Sequence, residues 1–199
     1  MNAILPSLMT VDEFLRWSQA QEHGHYELER GRIVAMNAEN AGHAKVKVRI
    51  YNALGRAIEK TAVPFYALPD GPRVRIPGSR SYEPDVLIAQ LPEVAEDALE
   101  IPNVVAVFEV LSPTPKSVRR DLTEKVVGYA LVPSIEHYIV IDPEERAVLH
   151  YRRRGDLLVP PNAATEDVLR LESIGIEVPI DDMLGPNQHP DATQMIEVP

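Results

Sequence analysis

The sequence predicts a single α/β domain with a helix and a β-hairpin at its start, and three observations carry that prediction. The apolar run VVAVFEVLSPT at 104–114 is followed by a helix-like segment from Asp121 and by a second apolar strand, Ile135 to Ile141. Strand, helix, strand in that order predicts two parallel strands joined by a right-handed crossover. The 199 residues, 45% hydrophobic and 25% charged, suit one domain with a sizeable core, and neither a repeat nor a linker divides them. The expected core spans about residues 9–180, with 181–199 as a loose tail.

The elements follow in order. Thr10 caps a short helix with Glu13 three residues on and Val11, Phe14 and Leu15 on one face. Two alternating segments in YELERGRIVAM flank Arg30-Gly31, where glycine permits the positive φ of a tight turn. Lys45 to Ile50 alternates like a strand, but Val46, Ile50, Leu54, Ala57 and Ile58 keep helical spacing, and the length of the window predicts a helix over 43–60. Prolines and glycines between 64 and 78 punctuate short strands at Phe65-Tyr66 and Val74 to Ile76. A further strand, Asp85 to Ala89, is entered through Pro84. Ser112-Pro113-Thr114-Pro115 stops the 104–114 strand. Asp121 has the spacing of an N-cap for a helix to about Leu131, with Leu122, Val126, Tyr129 and Ala130 on one face. After Ile141 the chain turns at Asp142-Pro143 into another strand, Arg146 to Tyr151.

Composition narrows the function classes. A chain without cysteine has no disulfide framework and no thiolate metal site, which fits a reducing compartment. With neither a signal-like N-terminus nor an apolar run of the ~18 residues a membrane span needs, the expected location is cytoplasmic. The net charge of −10 opposes wrapping of nucleic acid by the whole surface, because phosphate binding needs a positive field. A local site is compatible with it: basic residues cluster between Lys45 and Arg80, while acids gather at 93–100 and after Asp156. That asymmetry also fits two solvated faces.

Glu109 interrupts an apolar strand, and Asp85 opens another. A buried carboxylate without a partner is costly and takes up a proton. If the two meet on neighbouring parallel strands, their repulsion calls for a cation, and Mg²⁺ is held by one or two carboxylates with waters and phosphates. The alternative is that Glu109 pairs with an arginine and Asp85 merely starts a strand. Lys125, four residues after Asp121, is either one half of a surface ion pair or an ammonium reaching back to the carboxylates. Spacing alone does not separate these. His23, His25, His137, His150 and His189 show no metal-ligand spacing, and there is no glycine-rich phosphate loop, nucleophile elbow or zinc signature.

Taken together, MTVDEFLRW, YELERGRIVAM, GHAKV, EPDVLI, VVAVFEVLSPT, DLTEKVVGYA and SIEHYIVIDPEER resemble, in order and spacing, the Uma2 family of endonucleases. The resemblance runs from about Met9 to Tyr151. It implies a restriction-endonuclease-like fold of the PD-(D/E)XK superfamily: a mixed central sheet flanked by helices, with a metal-dependent phosphodiesterase site at one end. Pro84-Asp85 matches the PD element and Glu109 the following acid, making Asp85 and Glu109 the implied ligands of Mg²⁺, with Mn²⁺ as a substitute. The superfamily's lysine position is Leu111 here, and Lys125 on the next helix is the implied displaced catalytic lysine. Glu27 and His43 also match family positions, as a further acid and a polar group near the scissile phosphate. DNA is the implied partner, contacted by basic residues of segments 45–60 and 116–120, and a homodimer the expected assembly. A fold-retaining binding or assembly protein, with the old site structural, is the alternative that the net charge favours.

Overall fold

A computed structural model of the protein describes residues 8–112, 114–161 and 167–185. Helix α1 (Val11–Gln19) begins in a complete capping box, in which Thr10 Oγ accepts from Glu13 N–H and the Glu13 carboxylate accepts from Thr10 N–H at 2.8 Å. The hairpin strands β1 (Tyr26–Glu29) and β2 (Arg32–Ala35) turn through Arg30 and Gly31, both at positive φ (49° and 77°), the paired geometry of a tight hairpin turn. Length decides the ambiguous segment in favour of a helix. It is α2 (Ala41–Thr61), capped by the Asn40 side chain on His43 N–H, with Val46, Ile50, Ala53 and Leu54 buried.

Three strands follow in close succession: β3 (Phe65–Pro69), β4 (Val74–Ile76) and β5 (Arg80–Tyr82), the last not expected from sequence. Next come β6 (Val86–Gln90) and β7 (Val104–Val110), whose seven residues are all buried. The single helix predicted from Asp121 is two: α3 (Pro115–Leu122), capped by Thr114, and α4 (Glu124–Ala130). The break falls at Thr123, which lies outside helical space at φ −131°, ψ −68° and whose hydroxyl bonds back to the Arg119 carbonyl at 2.6 Å. Asp121 therefore ends α3 instead of capping a helix. The remainder is β8 (His137–Asp142), β9 (Ala147–Arg154), the unforeseen β10 (Leu157–Val159), β11 (Val168–Leu171), a 3₁₀ turn (Glu172–Ile174), β12 (Ile176–Pro179) and α5 (Ile180–Leu184). Ile180, Met183 and Leu184 are buried, so the core runs past the expected boundary to Leu184. Residues 186–199 of the expected tail, with His189, lie outside the described residues.

The central sheet has the order β10-β9-β8-β7-β6-β3 and is mixed: β7 and β8 are parallel, and every other neighbouring pair is antiparallel. Alternation along β7 sends Phe108 and Val110 to one face and Val107 and Glu109 to the other. The first face packs against α2, the β11–β12 hairpin and α5; the second packs against α4 and residues of a separate antiparallel sheet, β2-β1-β5-β4. A small cluster of Val11, Phe14 and Leu28 seats α1 on that second sheet. Among the described residues no helix is long and apolar enough to cross a membrane.

Candidate active site

Asp85 immediately precedes β6, and Glu109 is the penultimate residue of β7. Because β6 and β7 are antiparallel, with Val86 opposite Phe108, the start of one strand lies beside the end of the other. Antiparallel pairing, not the parallel pairing expected, brings the two acids to one end of the sheet. Both are buried. Asp85 Oδ2 accepts the Val110 N–H at 2.7 Å, and Glu109 Oε1 accepts the Tyr129 hydroxyl at 2.8 Å.

Helices from both faces of the sheet reach this end. From α4, Lys125 places its Nζ 2.8 Å from Glu109 Oε1, 3.3 Å from Glu27 Oε1 and 3.6 Å from Asp121 Oδ1, with only 2% of its side chain exposed. The Asp121–Lys125 spacing is thus a buried contact across the helix break and not a surface pair. Glu27, on the hairpin strand β1, is fully buried, accepts the Glu83 N–H at 2.8 Å and pairs with Arg120 as well as Lys125. From the first turn of α2, His43 sets Nε2 2.7 Å from the Val110 carbonyl oxygen and 3.7 Å from Asp85 Oδ2, while its Nδ1 lies 2.5 Å from Glu39 Oε1. One turn on, Lys47 Nζ lies 2.7 Å from both Glu39 and Asp70 and 3.6 Å from Asp85. The cleft so formed encloses about 470 Å³, and Asp85, Glu109, Lys125 and His43 all line it.

A protein-family comparison now bears on this geometry. The model of the Uma2 family, described as "Putative restriction endonuclease", matches residues 11–181. The chain belongs to the Uma2 family. Among solved structures it is similar to a crystal structure from Anabaena variabilis described as a "putative nuclease belonging to DUF820". The TM-score is 0.62 with 20% sequence identity, over 88% of this chain and 97% of that one. A search of curated proteins finds no match. The shared architecture is the expected restriction-endonuclease-like fold class, a mixed sheet flanked by helices.

The electrostatics of this Uma2 cleft follow from burial set against counter-charge. Burial lifts the Asp85 carboxyl above its ordinary range, against the pull of His43, the Val110 N–H, Lys125 and Lys47. Glu109 is lifted well above its range by burial; Lys125 opposes this, while Asp121, Asp85 and Glu27 add to it. Asp121 is raised for the same leading reason. Glu27 goes the other way, because Lys125, Arg120 and the Glu83 N–H outweigh its burial and hold it below the usual range. Burial works against the Lys125 charge, but Glu109, Glu27 and Asp121 more than compensate and raise its pKa. An ammonium held this firmly is no general base; it can orient a water or offset developing negative charge.

The donor set fits a hard divalent ion. Asp85, Glu109 and the Val110 carbonyl offer oxygens only, and a cation among them would offset the burial that raises both acids. Among the described residues no three His, Asp or Glu side chains form a ready-made metal cage. Mg²⁺ needs only one or two carboxylates and keeps several waters, for which an open cleft leaves room.

All five residues singled out from sequence lie in this one network. Of the basic segments expected to meet phosphate, Lys47 and Arg120 turn inward onto carboxylates. Arg49 instead donates to the Leu184 carbonyl and Arg56 pairs with Asp182. Sequence reasoning missed Glu39, Asp70 and Tyr129 and gave Lys47 and Arg120 a different role, as phosphate contacts. One signal was available: Lys47 follows His43 by four residues and precedes Ile50 by three, which places a charge on the buried stripe of α2.

Proposed function

We propose that this Uma2 chain is a metal-dependent endonuclease that hydrolyses DNA phosphodiester bonds. The observation that carries the reading is the convergence of Asp85, Glu109 and Lys125, from the entry to β6, from β7 and from α4, with Lys125 Nζ 2.8 Å from Glu109 in a solvent-open cleft. Asp85 and Glu109 would hold Mg²⁺, or Mn²⁺ in its place. When bound, that ion supplies Lewis-acid polarisation of the scissile phosphate and acidifies water.

The chain's own residues do the rest. Tyr129 and Lys125 both occupy Glu109 Oε1, which fixes the carboxylate's orientation and leaves its other oxygen for the cleft. Lys125 orients the attacking water and offsets negative charge that grows on the phosphoryl oxygens, the task left open by Leu111 on the strand. Glu27, itself paired with Arg120, anchors that lysine from behind, and His43 holds the Val110 carbonyl beside Asp85. The cleft is lined by six carboxylates (Glu39, Asp70, Glu83, Asp85, Glu109 and Asp121) against three fixed cations (Lys47, Arg120 and Lys125). The excess of acids disfavours a polyanion in the cleft and added cations would offset it, which supports a dependence on metal.

The same acidic excess favours a second reading, in which the chain binds or assembles without cleaving. Incubating supercoiled DNA with the purified chain separates the two. The nuclease reading expects nicking with Mg²⁺ or Mn²⁺, none with chelator, and none from Asp85→Ala. Metal-dependent nicking that survives Asp85→Ala removes the assignment, and its absence from the wild type with either ion favours the second reading.

A further inference from the structure

Two lysines flank the Asp85–Glu109 pair, and they differ in what they do. Lys125 stands at the inner wall of the cleft, with Tyr129 on its partner Glu109 and the Tyr82 ring face 5.9 Å from Nζ. Lys47 stands on the opposite side, against the open cleft, and is surrounded like a bound ion: Glu39 Oε1 at 2.7 Å, Asp70 Oδ2 at 2.7 Å and Asp85 Oδ1 at 3.6 Å. Those three carboxylates come from the segment before α2, the loop after β3 and the start of β6. Asp70 has no other cationic partner among the described residues. Only 10% of the Lys47 side chain is exposed.

Asp85 is shared between the two halves of the cleft. Its Oδ2 takes the Val110 N–H, next to the oxygens of the candidate ion site, and its Oδ1 faces Lys47. A carboxylate bridging two cations is the arrangement of two-metal phosphodiester sites, whose ions stand roughly 3.5–4 Å apart. Here one of the two positions carries an ammonium.

We propose that Lys47 is a resident cation that holds the place of a second divalent ion, so that the cleft takes up a single metal, at Asp85 and Glu109. The inference rests on the metal-dependent reading above. Lys47 is a positioning residue: it neutralises Glu39 and Asp70 and holds Asp85 in the bridging orientation. Without its charge, Glu39, Asp70 and Asp85, which lie 2.7, 2.7 and 3.6 Å from the ammonium, lose the cation they share, and an added ion is the replacement open to them.

The test is calorimetric titration of Mg²⁺ and Ca²⁺ into the full chain, with thermal unfolding as a second readout. It compares the wild type, Lys47→Met, which keeps the stem and drops the charge, and Lys47→Arg, which keeps the charge. The expected result is one equivalent for the wild type and for Lys47→Arg and two for Lys47→Met, whose Tm rises more with added ion than that of the wild type. If Lys47→Met does not fold without metal, its refolding on addition of either ion supports the inference, and failure to refold in both overturns it. A folded Lys47→Met that binds one equivalent, like the wild type, also overturns it and leaves the reading of Asp85 and Glu109 intact. A wild type that binds none while Lys47→Met binds one keeps the Lys47 inference and removes the Asp85–Glu109 metal site; no binding by either protein removes both.

Discussion

Two buried polar clusters share the central sheet and solve the problem of burial differently. At the end where β7 finishes, Asp85, Glu109, Glu27 and Asp121 are buried among Lys125, Arg120 and Lys47. Where β8 begins, on the opposite face, His137 and His150 are equally buried but meet each other at 2.9 Å and Ser173 at 2.7 Å, with no carboxylate in ion-pair range among the described residues. Burial leads in the second cluster: it pushes His137 down to about 4 against the pull of Glu172, and His150 to about 3, with Arg152 and, for His150, its neighbour adding to it. The histidines stay neutral and structural. In the cleft, burial also raises Asp85, Glu109 and Asp121, but Lys125, Lys47 and Arg120 are built in against it and Glu27 and Lys125 are held charged; opposed groups of this kind around an open cleft are what a catalytic or ion-binding site requires.

The sharpest way to break this contrast is to remove counter-charge from the cleft. Lys125→Met leaves Glu27, Glu109 and Asp121 facing one another in the interior and is expected to cost about 3–5 kcal/mol, read by urea unfolding. Adding Glu109→Gln to it should restore part of that loss, so the double variant is more stable than the two single effects sum to. Strict additivity would mean the ammonium and the carboxylate are not coupled.

The histidine cluster predicts the next largest effect, through pH. Both histidines have folded pKa values below the ordinary 6.5, so the unfolded chain binds protons that the native chain refuses. Their contribution is fully present above about pH 6.5 and is lost as pH falls towards 4, by roughly 3 kcal/mol for a histidine shifted this far. The raised acids Asp85, Glu109 and Asp121 run the opposite way: their contribution is present at low pH and is lost as pH rises through their folded values. Comparing stability at pH 4.5 and 7 for the wild type and a His137→Leu/His150→Leu variant isolates the pair. With both histidines removed, the gap between the two proteins should change across that interval by about 5 kcal/mol, and a constant gap contradicts the assignment.

Smaller effects probe the supports. A methyl group on Gly128 would lie 2.6 Å from the buried Tyr82 ring, which backs both Lys125 and Arg120. Gly128→Ala should cost about 1–3 kcal/mol by overpacking, and in the same unfolding assay it marks how rigidly the cleft is backed. Thr10→Ala, which removes the capping box of α1 away from both clusters, should cost about 1 kcal/mol and leave the histidine-driven change between pH 4.5 and 7 in place.

Much of this architecture is legible in the sequence because local pattern and tertiary role agree. VVAVFEV reads as a doubly covered strand and is one, and Glu109 is conspicuous because it breaks that run. Asp85 and Lys125 stand out at a strand start and on a helix face, whereas Glu27 and His43 became visible only through the order of family motifs. The rest was hidden where local pattern competes with tertiary contact. Asp121 to Glu124 imitates a helix start, yet Thr123 bonds backwards to Arg119 and divides the helix. Lys47 sits in the locally alternating KVKVR, which draws attention from its place on the buried stripe of α2. Arg120 reads as a phosphate contact, and its partner Glu27 is 93 residues away in the chain; no local rule pairs them.

Whether the cleft is an ion site is decided by calorimetric titration of Mg²⁺ and Mn²⁺ into the wild type and Glu109→Ala, both shown to be folded by circular dichroism. The expected result is saturable binding by the wild type in the millimolar range or tighter, and its loss in Glu109→Ala. A wild type that takes up neither ion, or a Glu109→Ala protein that binds as the wild type does, contradicts the assignment of Asp85 and Glu109.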